Sequence, residues 1–108
     1  MPRSTGGDAT GHAAEIEREY DRLMAATASI IERLADPTLD VVADKKLFDD
    51  AVLATVAWTR LADDGHFLEV SRPFSQAFAK IIFGMEAKRA DDVHAGADEI
   101  IHLARRIT

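Results

Sequence analysis

The sequence predicts an all-α fold, a small bundle of three to four mainly antiparallel helices carrying a mobile N-terminal tail. Three observations carry this. Apolar residues recur in steps of three and four through most of the chain, as they do along one face of a helix. Proline, glycine and aspartate fall between these stretches, where helices begin and end. No alternating apolar–polar run with a partner strand is present, and no repeat of 20 to 50 residues points to a solenoid.

At 108 residues the chain is one domain by size, able to bury a core without disulfides or metal. Residues 1–11, rich in Gly, Ser and Thr with nothing to bury, read as the mobile tail, and residues 12–108 as a single helical domain. The first helix is expected from about His12. Ile16, Tyr20, Leu23, Thr27, Ile30 and Leu34 form its stripe, widened by Met24 and Ile31, which suits a bundle helix with two neighbours. Asp36-Pro37 stops it, because the residue before proline is pushed out of the α region. Thr38 to Val42 is then either a short helical turn or the leading edge of the next helix.

That next helix, capped by Asp44, holds the most apolar stretch of the chain, Leu47 to Leu61. Between Ala51 and Trp58 only Thr55 is polar, so this helix is expected to be the central rod, surrounded by the others. The run is too short to span a bilayer. Asp63-Asp64-Gly65 ends it, with Gly65 in the left-handed conformation that closes helices. His66 to Val70 reads as a connector folded back on the bundle. Ser71 is expected to cap the third helix with Pro73 in its first turn, and Phe74, Phe78, Ile81, Ile82 and Met85 make its core face. The pattern lapses at Lys88 to Asp92 and resumes at Val93, Ala97, Ile100, Ala104 and Ile107, so a fourth helix starts near Asp91 or the third bends and continues. Gly84 and Gly96, inside helical patterns, mark a close helix approach or a bend.

Composition narrows the function. The net charge is −6, with 11 acids against 6 bases in residues 1–54 and 8 against 7 in the rest. Nucleic-acid binders carry the opposite sign, so a nucleic-acid partner is not expected. A helix-turn-helix laid on Gln76 to Val93 puts Lys80 where a small apolar residue belongs, followed by an acidic, alanine-rich segment. Without cysteine there is no thiolate chemistry. The start of the chain has neither a secretory signal nor a membrane anchor, so a cytoplasmic location and no membrane partner are expected. Ser71, Ser75 and Thr55 stand in no nucleophile motif and no Gly-rich phosphate loop exists, so no catalytic residues are assigned. An enzymatic pocket would have to be built around Trp58, Tyr20 and a carboxylate.

Two constellations remain. His94, Asp98 and His102 fall in a row at i, i+4 and i+8 on the last helix, a donor set suited to a divalent metal such as Zn, with His66 or His12 as a remote fourth ligand. Glu99 and His102 also form a Glu-x-x-His pair, but the further inward glutamates that di-metal bundles use are missing. No cofactor is otherwise implied. The second constellation is Phe83, which lies opposite the third helix's core face among Ala79, Lys80, Ala87, Ala90 and Gln76. A flat apolar patch of this kind suits a partner helix or a second copy of the chain. The expected function is therefore a small acidic interaction or regulatory module (adaptor, inhibitor, antitoxin-like or chaperone-like), homodimeric, with a metal-binding bundle as the alternative.

Overall fold

A computed structural model describes the backbone of residues 2–107 and the side chains of residues 13–107. The expected tail, residues 1–11, and the expected helix start near His12 lie outside the described side chains. Four helices follow one another, α1 (Pro2–Leu34), α2 (Lys45–Asp63), α3 (Leu68–Glu86) and α4 (Ala90–Ile107). Among the described residues there is no strand. The short connections make consecutive helices antiparallel. α3 packs along both α2 and α4, while α1 leans on α2 and touches α4, so the helices follow one another around the bundle in chain order.

The predicted stripes form the core. From α1 come Leu23, Thr27, Ile30 and Leu34; from α2, Leu47, Ala51, Ala54, Trp58 and Leu61. Phe74, Phe78, Ile81 and Met85 of α3 meet Val93, Ala97 and Ile100 of α4. An aromatic chain ties three helices together: Phe74 stacks on Trp58 at 5.0 Å, Trp58 meets the edge of Tyr20 at 5.9 Å, and Tyr20 stacks on Phe67 at 4.4 Å. The Trp58 indole N–H donates to the buried Thr27 hydroxyl at 3.2 Å, which removes the cost of burying an unpaired donor.

Local signals account for most helix ends. The Asp36 carboxylate accepts from the Thr38 amide and hydroxyl, which stops the chain after α1 and, through those bonds, lowers the Asp36 pKa from its usual value. Residues 38–42 form turns rather than helix and bury Val41. Asp44 caps α2, accepting from the Leu47 amide at 2.7 Å. Gly65, at φ 79°, closes α2 as expected, with the His66 amide bonded to Leu61 and the Gly65 amide to Ala62, the paired bonds of a Schellman motif. α3 ends in the same pair of bonds, Arg89 to Gly84 and Lys88 to Met85, but the left-handed residue is Lys88.

Two expectations are corrected. α3 starts at Leu68, so residues 68–70 are helix rather than connector, and Ser71 is no cap. Ser71 is fully buried within α3, its hydroxyl donating to the His66 carbonyl at 3.0 Å, and Pro73 lies inside the helix, where it leaves the Glu69 carbonyl without its helical partner. The second correction concerns α2, which is not surrounded. Leu53 is 67% exposed and Val56 51%, so one side of the most apolar helix is open.

Candidate protein-interaction surface

The lapse at residues 87–89 separates α3 and α4 into two helices, and two glycines then let them approach closely. A Cβ on Gly84 would stand 2.8 Å from the Val93 amide nitrogen, and one on Gly96 would stand 2.9 Å from the Ala77 carbonyl oxygen. The Lys80 ammonium, 2.6 Å from the Glu99 carboxylate, clamps the same pair across their outer edge. This contact buries the inner faces of α3 and α4 and leaves Phe83 outside, 67% exposed.

Phe83 stands at the rim of a shallow depression of about 470 Å³ whose walls are Lys80 and Gly84 of α3, Ala87 just after it, and Asp92 and Ala95 of α4. Ala87 and Ala90 are exposed beside it, and Ala79 is half-buried. The expected patch is thus present on the surface, with neither α4 nor Phe67-Leu68 covering it. Asp92 and Ala95 also border it, a contribution from α4 that periodicity within α3 could not show. Among the described residues Leu53 and Val56 are the other large hydrophobic residues with at least half their surface exposed, and Leu53 borders a depression of about 400 Å³ between α1 and α2 that includes the small residues Ala26 and Ser29.

The His94, Asp98 and His102 side chains are all exposed on α4. At 1.5 Å rise per residue His94 and His102 are about 12 Å apart along the axis, so the row cannot close on one ion. Among the described residues no three His, Asp or Glu side chains converge enough to hold a metal. Glu99, the candidate partner of His102, is engaged by Lys80. His66 lies in the connection after α2, beside Asp64 and Glu15, and the His12 side chain is outside the described residues. Asp98 and His102 instead help line a depression of about 440 Å³ with Pro73 and Gln76.

Trp58, a possible platform for a ligand, is fully buried and stacked in the core, and Tyr20 is half-buried against it. Thr55 spends its hydroxyl on the Ala51 carbonyl, and Ser75 pairs with Thr59 across α2 and α3. These hydroxyls thus bond to a backbone carbonyl or to one another, as the Ser71 hydroxyl does to the His66 backbone carbonyl. Among the described residues no helix is long and apolar enough to cross a membrane. Compared with protein-family models, curated proteins and solved structures, the chain matches none.

Proposed function

We propose that the protein is a small acidic helical interaction module of adaptor or regulatory kind, homodimeric and cytoplasmic, that acts by presenting an apolar helix face to another protein. The observation carrying this reading is Phe83: a large aromatic side chain with two thirds of its surface exposed, framed by alanines and set at the edge of a groove between two tightly packed helices. An aromatic anchor beside small residues allows a partner helix to approach closely and exclude water around one strong contact. The Lys80–Glu99 pair and Asp92 would supply a polar rim.

A photo-crosslinking side chain placed at position 83 in living cells tests it. The expected result is a heterologous adduct with one protein, whose purified form binds the native chain and binds Phe83→Glu at least roughly tenfold more weakly, the effect of a lost aromatic anchor. Absence of any heterologous adduct, or equal affinity for the folded Phe83→Glu chain, would sink the proposal.

A further inference from the structure

The exposed side of α2 has a property that Phe83 lacks: it is complementary to itself. Lys46, Asp49, Leu53, Val56, Arg60 and Asp63 fall in one stripe about 100° wide along the helix, by the 3.6-residue repeat. Leu53 and Val56 are the apolar centre, and the four charged residues around them are exposed. The order of charge along the stripe is plus, minus, apolar, apolar, plus, minus. Turned end for end, the same order reads minus, plus, apolar, apolar, minus, plus.

We propose that α2 is the self-association surface of the protein, pairing with α2 of a second copy in antiparallel fashion about a twofold axis midway between Leu53 and Val56. This deepens the reading of the chain as a homodimeric module and leaves the Phe83 face free. In that register Leu53 faces the partner's Val56, Asp49 faces the partner's Arg60, and Lys46 faces the partner's Asp63, each contact occurring twice by symmetry. A parallel arrangement would set like charges side by side, which disfavours it. Within one chain Asp49 meets only Lys45, at 3.3 Å in an exposed pair of little strength, and Arg60 has no ion-pair partner among the described residues. Both are therefore available to a second copy. The need for a cover comes from the helix itself, whose apolar residues are buried or half-buried except along this stripe.

Sedimentation equilibrium of the full chain from about 1 μM to 1 mM, spanning the weak range that a small interface occupies, gives the test. The native chain should dimerise with a dissociation constant on the order of micromolar. Asp49→Arg should weaken the dimer by roughly tenfold or more, because it sets two arginines against each other at both ends, and Arg60→Asp should do the same. The double variant Asp49→Arg with Arg60→Asp should regain the dimer, since the exchange restores both pairs. Both positions are on the surface, and unchanged helical circular dichroism excludes unfolding as the cause. A native chain monomeric throughout, a dimer indifferent to Asp49→Arg, or a double variant no better than the singles overturns the proposal. A dimer lost in Phe83→Glu but kept in Asp49→Arg also overturns it and assigns self-association to α3. The first three outcomes leave the crosslinking test of a foreign partner at Phe83 untouched, whereas the last would appear there as an adduct between two copies of the chain, so the failure of each reading is told apart.

Discussion

Lys88 holds a backbone conformation, φ 59°, that a side chain with a Cβ enters at a cost of about 1 kcal/mol or more. Its amide and that of Arg89 complete the two bonds closing α3, so the turn is kept despite the residue. Lys88→Gly is expected to raise stability by about 0.5–1 kcal/mol in urea melts, the relieved strain exceeding the entropy that glycine adds to the unfolded chain. At the other end of α3, Phe67 is also left-handed, at φ 52°, and is held there by stacking on Tyr20 and by the Ser71 amide bonding to its carbonyl. Inside the bundle, Thr27 is the only partner of the Trp58 indole N–H among the described residues. Thr27→Val should destabilise by about 1–3 kcal/mol, since the donor would remain buried and unpaired. Trp58 is the sole tryptophan, so its fluorescence follows the loss directly in the same melt. Asp36 adds a small pH dependence. Because its folded pKa is lowered, the stability it contributes is complete above the ordinary carboxylate range and fades as pH falls through the folded value.

At the scale of helices, the α3–α4 contact depends on two missing methyl groups. Alanine suits a helix better than glycine by about 1 kcal/mol, so propensity alone favours Gly96→Ala. The added Cβ would meet backbone oxygen of Ala77 at 2.9 Å and the Ile81 side chain at 2.9 Å, and backbone cannot step aside alone. Gly96→Ala is therefore expected to destabilise the protein by about 1–3 kcal/mol, measured as a lower urea midpoint with unchanged m. Stability equal to or above that of the native chain would show that the helices separate freely. Helix ends vary in how readable they were. Asp44 and Gly65 act through bonds within a few residues of themselves, so their roles are visible in the sequence. Ser71-Arg72-Pro73 carries the same kind of signal, yet α3 begins upstream because Phe67 docks on Tyr20 of a different helix. No local pattern encodes that contact.

For the whole molecule, exposure separates the apolar residues that hold the fold together from those left at the surface. Phe78 is fully buried and Phe83 is 67% exposed, five positions further along the same helix. Phe83→Glu should leave the melting temperature of the isolated chain unchanged, whereas Phe78→Ala should cost about 3–5 kcal/mol. Thermal melts of the two variants beside the native protein check both. A loss of stability in Phe83→Glu comparable to that in Phe78→Ala would place Phe83 in the core and remove the basis of the proposed partner surface.

The class of the fold and most of its elements were determined by the sequence, because helical periodicity, Asp44 capping and Gly65 termination act over distances of one or two turns. The exposed position of Phe83 was legible for the same reason: nine residues of helix from Phe74 carry it to the opposite side. What only the tertiary structure decided was the fate of α2. Between Ala51 and Trp58 only Thr55 is polar, so that run by itself records no preference for which side meets its neighbours. Ala51, Ala54 and Trp58 point inward, and Leu53 and Val56 outward, because of where α1 and α3 come to lie around it. The spacing of His94, Asp98 and His102 was equally visible as a pattern, but a row of that length along a helix separates its ends instead of gathering them, and only side chains from other helices could have closed it.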